Sequence, residues 1–280
     1  MLKCYHTDLH IHTCLSPCGD LTMSPKRIVE KARDKMLNII GICDHNSAEN
    51  VQYTINAART THLNPLTAKT ERKKNKGVVF RGSPPCCVAD YHCPSLTVLP
   101  GMEISTKEEV HILGIFDEIS AVLKLQELIY QTLPSEKNNP ELFGEQIIAN
   151  EFDEVEGYND KMLIGASSLS IREVVDEIHR LGGIAIASHI DRESFSIISQ
   201  LGFIPDDLNF DALEISPNIT IKEAHRRFPE IRRFPLLKSS DAHFLEDIGR
   251  TTTTFFLEEP NVTEIIMALK RENGRAIIYE

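Results

Sequence analysis

What most constrains the fold of this chain is a set of short, continuous apolar runs that each end in histidine or acid. Ile39-Ile40-Gly41-Ile42-Cys43 leads into Asp44-His45, Ile184-Ala185-Ile186-Ala187 leads to His189, and Leu236-Leu237-Lys238-Ser239 leads to Asp241-Ala242-His243. Runs of this kind are strands buried on both faces, the condition of a parallel sheet covered by helices. Helical patterns lie between them. Ser24 precedes Pro25 and an apolar period of Ile28, Val29, Ala32 and Met36, which predicts a helix over 25–35. Another is predicted over 120–132, and Ser170-Ile171-Arg172-Glu173 is a capping box opening a third that stops at Gly182-Gly183.

Alternating strands and helices imply an α/β fold with a parallel sheet, open or closed. Polar residues at the carboxyl ends of several different strands favour closure, because a barrel builds its site on that face, whereas an open sheet concentrates its site at one switch point. The length, 280 residues, suits one barrel of about 250 residues with additions. One domain over 1–280 is therefore expected. Residues 61–95 break the rhythm: they carry Glu71-Arg72-Lys73-Lys74-Asn75-Lys76, several prolines and Cys86, Cys87, His92 and Cys93, with no hydrophobic period. They read as an irregular insertion in an early βα loop, with a solvated basic run and free thiols.

Charge and cysteine usage bound the function. With 41 acidic and 30 basic side chains the net charge is -11, which argues against broad nonspecific adhesion to nucleic acid or anionic membrane. No stretch reaches the roughly 18 apolar residues of a membrane span, and the polar start lacks a signal-peptide apolar region. Seven cysteines, an odd number in a chain of this size, fit free thiols in a reducing compartment. A cytoplasmic location is expected.

The chemistry-bearing residues cluster by position. His10 and His12 fall two apart on a candidate strand, so both imidazoles face one side. Asp44-His45, Glu103, His111, His189, Asp241 and His243 sit at or beside other predicted strand ends. Six of the eleven histidines are in this set, a sorting that chance placement does not produce. Imidazoles mixed with a few carboxylates and no Cys-x-x-Cys suit Zn, Mn or Fe in an open catalytic site. Arg192, three residues after His189, is a candidate phosphate clamp, since a guanidinium binds two phosphate oxygens at once. Its bland alternative is an ion pair with Asp191 or Glu193. Lys238 and Arg250 are further candidates of the same kind.

In order along the chain, Asp8-Leu9-His10-Ile11-His12, Cys43-Asp44-His45-Asn46, Pro100-Gly101-Met102-Glu103, His111-Ile112-Leu113-Gly114, Ser188-His189 and Ser240-Asp241-Ala242-His243 resemble the motifs of the polymerase and histidinol phosphatase (PHP) phosphoesterase family. The resemblance implies a distorted (β/α)7 TIM-like barrel and two or three divalent ions, Mn, Zn or Fe. By similarity His10, His12, Glu103 and Asp241 hold one metal; Glu103, His111 and His189 a second; and His45, His243 and an acid after the first motif, for which Asp20 is nearest, a third. Asp8 and Asp44 would orient histidines. The implied activity is hydrolysis of a small phosphorylated substrate, a nucleotide or phosphorylated metabolite, with His10, His12, Glu103, Asp241 and His243 as the catalytic set. The alternative is a nuclease, a 5'-3' exonuclease or a trimmer of short single-stranded oligonucleotides, at the same metals. An idle regulatory barrel is the third reading, and clustered ligands argue against it.

Overall fold

The computed structural model describes residues 1–60 and 95–279; the expected insertion falls almost entirely outside the described residues. Its main sheet has nine strands. β1 (Lys3–Ile11), β2 (Ile39–Ile42) and β3 (Thr97–Ser105) pair in parallel, and β4 (His111–Ile115) then pairs antiparallel with both β3 and β7 (Ile184–Ala187). Beyond β7 the sheet is parallel again through β8 (Ala212–Ile215) and β9 (Leu236–Lys238). On the other side of β1 run β10 (Thr253–Leu257) and β11 (Ala276–Ile278), both antiparallel to their neighbours.

The sheet is therefore mixed, where continuous parallel pairing was expected. The cause at β4 is the connection: only residues 106–110 join β3 to β4, enough for a hairpin and far short of a parallel crossover. A small hairpin, β5 (Ile147–Ala149) with β6 (Val155–Tyr158), occupies the acid-rich segment whose sequence showed no period.

The sheet curls until the chain beyond β9 meets the end of β1. His12 N donates to Ala242 O at 3.0 Å, Ala242 N to His10 O at 3.2 Å, and Ser240 N to Asp8 Oδ1 at 2.9 Å. Side chains divide by strand parity. Ile40, Ile42, Met102, Ile104, Ile112, Ala187 and Leu213 face outward onto the helices α1 (Pro25–Asp34), α2 (Val51–Thr60), α3 (Ile119–Thr132) and α5 (Ile171–Arg180). Ile39, Leu99, Leu113, Ile186, Ala212 and Leu237 face the other way, into a second core closed by α8 (Val262–Lys270).

Local sequence explains these helices. Pro25 opens α1, which buries Ile28, Val29 and Ala32 and is followed by Met36 in the left-handed region at φ 57°. The Ser170–Glu173 capping box opens α5, and Gly182 at φ 82° follows its end.

Candidate metal centre

Following the inward parity upward leads to one place. Leu99 and Gly101 are succeeded by Glu103, Ala212 by Glu214, and Leu237 by Ser239 and Asp241. Because β4 runs opposite to its neighbours, its first residue, His111, lies at the end where the parallel strands finish. On β1 regular alternation would put Leu9 and Ile11 on one face, yet Leu9 packs inside and Ile11 outside. A register irregularity between Asp8 and Ile11 separates them and turns His10 and His12 inward. Gly41 makes room for it, since a Cβ there would lie 2.4 Å from Leu9 O.

Glu103, 1% exposed, is the hub. Its Oε1 lies 3.2 Å from His111 Nδ1, 3.2 Å from His189 Nε2 and 3.4 Å from His10 Nε2; its Oε2 lies 3.1 Å from His45 Nδ1 and 3.3 Å from His12 Nε2. Asp241 Oδ1 approaches the same two nitrogens of His10 and His12 at 3.3 and 3.1 Å. The chain beyond β2 bridges to β3 at His45 and Glu103, which sets those two side by side. His189 at φ 29°, Asp241 at φ 50° and Asn46 at φ 52° all hold left-handed backbone beside the cluster, a conformation that costs energy in non-glycine residues and concentrates at functional sites.

The charges around the hub respond to one another. Burial raises the Glu103 pKa, but His111, His10 and His45 outweigh it and hold the carboxyl well below its usual range. Burial lowers His10, and Glu103, Glu214 and Asp241 outweigh this and raise it well above normal. His12 follows the same logic and reaches about 9. Burial dominates at His45, which is pushed well below its ordinary value, and at His243, which falls to about 4. Positive charge is thus drawn to the point between His10 and His12.

A divalent cation fits that point. His10 Nε2 and His12 Nε2 face each other at 3.1 Å; metal bonds of about 2.1 Å produce donor–donor edges of about 3.0 to 3.4 Å in octahedral or tetrahedral sites. Three groups have all their donor atoms within 4.8 Å of one another: His10, His12, Glu103 and Asp241; His45, Glu103 and His111; and His12, His45 and His243. The Nδ1 atoms of His45, His111 and His189 are buried without a hydrogen bond among the described residues.

Ring orientations are pinned from behind. His10 Nδ1 lies 3.0 Å from Glu214 Oε1, and His12 Nδ1 2.9 Å from Ser16 Oγ, which donates to Asp44 Oδ1 at 2.7 Å. His243 Nδ1 donates to Asp241 O at 2.9 Å. These bonds place the proton on Nδ1 and leave Nε2 free as a ligand.

Most of the sequence-derived residues converge here: His10, His12, His45, Glu103, His111, His189, Asp241 and His243 share one cluster. Asp20 does not. Its carboxylate accepts from Thr22 N at 2.8 Å and from Thr22 Oγ1 at 2.6 Å in an Asx turn, while its backbone N donates to His243 O. Cys18 is exposed and lies close enough for the Glu103 and Asp241 carboxylates to act on its thiol. Asp44 reaches His12 through Ser16 as expected. Asp8 instead accepts from Ser240 N and Gly249 N, so it holds backbone and orients no histidine. Arg192 pairs with neither Asp191 nor Glu193: its guanidinium reaches Asp241 Oδ2, while Asp191 binds Ser216. Lys238 donates to Ile219 O and Arg250 stands 3.9 Å from Asp247, both outside the cluster. Glu214 was overlooked, although a lone acid inside the apolar run Ala212-Leu213-Glu214-Ile215 was its signal.

Fold and centre together define an α/β protein with a buried His/carboxylate metal-type cluster at the closing seam of a curled sheet. Residues 224–273 match the PHP-associated family model. The uncharacterized protein YqxK of Bacillus subtilis is 22% identical over 298 residues, covering 99% of this chain and 65% of that protein. The lesion-specific endonuclease PfuEndoQ from Pyrococcus furiosus superposes with a TM-score of 0.64 at 20% identity, over 98% of this chain and 57% of that one. A two-domain protein from Bacteroides vulgatus, containing a predicted PHP-like metal-dependent phosphoesterase, superposes with a TM-score of 0.51 at 14% identity, over 100% of this chain and 66% of that one. The chain thus spans about two thirds of YqxK and less of PfuEndoQ. Its fold is shared with these structures, and the PHP-associated match covers its carboxyl-terminal part.

Proposed function

We propose that this protein is a metal-dependent phosphoesterase in which two or three divalent ions, Mn, Zn or Fe, are held by His10, His12, Glu103 and Asp241, by His45, Glu103, His111 and His189, and by His12, His45 and His243. The observation that carries the proposal is Glu103, a single buried carboxylate with five imidazoles within 3.4 Å. Such a hub is suited to bridging cations.

When bound, divalent ions supply a water of lowered pKa and offset the charge of a phosphoryl group. The chain does the rest. Glu214 and Ser16 hold His10 and His12 with Nε2 turned to the centre. Glu103 and Asp241 keep the ligand charge negative enough to retain cations yet too small to cancel two or three of them, so the pocket attracts phosphate despite the net charge of -11. Arg192, 41% exposed at its side chain, stands at the mouth on Asp241 and can pass its guanidinium to phosphoryl oxygens.

The first substrate reading is a small phosphorylated compound, a nucleotide or phosphorylated metabolite, supported by the motif resemblance and by the charge that cations held at Glu103 and Asp241 would bring. The nuclease reading gains from one specific observation, the likeness in fold to a lesion-specific endonuclease over 98% of the chain. A phosphate-release and oligonucleotide-cleavage screen, run with Mn and with Zn, tests both: inorganic phosphate from mononucleotides supports the first, and strand shortening the second. Metal-free protein that gains no activity from either ion toward any ester would refute the proposal.

A further inference from the structure

The net charge of -11 is unevenly spread. Three contiguous grooves, of about 390, 610 and 630 Å³, lie along the flank formed by α7 (Ile221–Arg227), β9, β10 and β11. Seven lysine and arginine side chains line them against one carboxylate, Glu223. In a chain where acids outnumber bases 41 to 30, this is a local inversion of sign. Lys222 is shared by the first and third grooves and Arg232 by the second and third, so the positive lining is continuous. Three of the seven are paired: Arg226 with Glu223 at 3.7 Å, Arg250 with Asp247 at 3.9 Å, and Arg233 with Asp206. Lys222, Arg232 and Arg271 are exposed and make no ion pair among the described residues. Thr251 and Thr252 add neutral donors in the first groove.

We infer that this flank is a binding surface for the phosphate backbone of a nucleic acid. Guanidinium, ammonium and hydroxyl donors along an extended surface are the groups that contact phosphates in register without reading bases. Charges beyond a Debye length of about 8 Å are screened at physiological salt, and within that range the seven lining cations outnumber the three acids that pair with them, Glu223, Asp206 and Asp247. The form of the surface disfavours a bilayer, which needs projecting apolar side chains: here Leu236 is buried, Ile221 and Ile277 are half-buried, and the exposed aromatic Tyr279 has its hydroxyl bonded to Leu236 N. The flank also adjoins the centre along the chain, since Lys238 precedes Asp241 on the same segment and Arg250 follows His243. The inference rests on the nuclease reading only for the purpose of the bound strand; binding itself needs no turnover.

The test uses the full chain with its metals and a fluorescein-labelled 20-base-pair DNA duplex, read by anisotropy between 50 and 200 mM salt. The triple variant Lys222→Ala, Arg232→Ala, Arg271→Ala is expected to bind at least about tenfold more weakly at low salt. The slope of log K against log salt should fall by about 2 to 3, at roughly 0.9 per lost phosphate contact. A control triple on the helical side, Lys35→Ala, Arg59→Ala, Lys124→Ala, removes the same charge and should change neither. Hydrolysis of bis(p-nitrophenyl) phosphate should be unchanged in both, which also shows that they fold. The inference is overturned if the first triple keeps wild-type affinity and slope, if the control loses as much, or if the wild type binds phosphatidylserine vesicles and not DNA. Groove-dependent DNA binding in a protein that hydrolyses no ester would sink the phosphoesterase reading and leave this one standing.

Discussion

Substituting Glu214→Gln tests whether the centre depends on the buried acid behind His10. The carboxylate, 1% exposed, accepts from His10 Nδ1 at 3.0 Å and from His189 N at 3.3 Å, so it fixes one ligand ring and the backbone of another. Glutamine keeps the volume and removes the charge. A hydrogen bond to a charged group contributes about 1.5–3 kcal/mol and a neutral one about 0.5–1.5, so the His10 bond alone loses about 1–1.5 kcal/mol. That is roughly a five- to tenfold loss in metal affinity, and the effect on His189 and on ligand basicity carries the expectation to the tenfold-to-hundredfold range typical of residues behind a metal ligand.

The assay is metal competition against a calibrated chelator, with Mn and with Zn, alongside turnover of bis(p-nitrophenyl) phosphate at saturating metal. Affinity should fall in the variant, and excess metal should recover part of the turnover. Glu214→Ala should do worse, because it leaves His10 Nδ1 buried without an acceptor. Wild-type metal affinity in Glu214→Gln would refute the claim that this acid sets the His10 ring.

Arg192→Ala is expected to lower kcat/KM by about 10- to 100-fold, the value of a charge-assisted bond to phosphate, with Arg192→Lys recovering part, as steady-state kinetics would show. Chelation should lower the melting temperature: metal at 100 times its Kd stabilises by about 2.7 kcal/mol per site, which at about 2–4 °C per kcal/mol is a drop of roughly 5–11 °C by calorimetry. Asp20→Asn should leave metal content, measured by elemental analysis, within error of wild type, because its carboxylate is spent on Thr22. His179 offers a pH signature away from the centre. Its bond to Asp211 Oδ2 at 2.8 Å raises its pKa against partial burial. A raised histidine stabilises fully below the ordinary value near 6.5, and the effect is lost as pH rises through the folded value. His179→Ala should therefore cost about 0.5–1 kcal/mol more at pH 5.5 than at pH 9 by urea unfolding.

What the sequence revealed of this molecule follows from which interactions are local. The apolar runs at Ile39, Ile184 and Leu236 needed only their own composition to read as buried strands, and the capping box at Ser170 needed four consecutive residues. The ligands were legible because a metal demands specific donor types and the strand ends deliver them repeatedly. Reversal of β4 was harder: the short link 106–110 held the information, but His111 marks a strand end equally well in either direction. For Asp20 the competing signal was nearer, since Thr22 two residues on holds its carboxylate in a turn.

Glu214 and the bulge on β1 belong to a different class. Nothing beside Glu214 in sequence states that His10, more than two hundred residues earlier, will lie 3.0 Å away; the partner exists only once the sheet has curled shut. The same closure explains why Leu9 and His10 cannot simply alternate, because β1 must carry core on one stretch and metal ligands on the next. A regular strand would have aimed both histidines at the helices. The irregularity is thus what joins the packing requirement of the sheet to the chemical requirement of the centre. It follows that inserting a Cβ at Gly41, where Leu9 O stands at 2.4 Å, should disturb metal binding as much as stability, although Gly41 touches no ligand. Gly41→Ala that lowers the melting point yet binds Mn and Zn with wild-type affinity would show that the bulge serves packing alone.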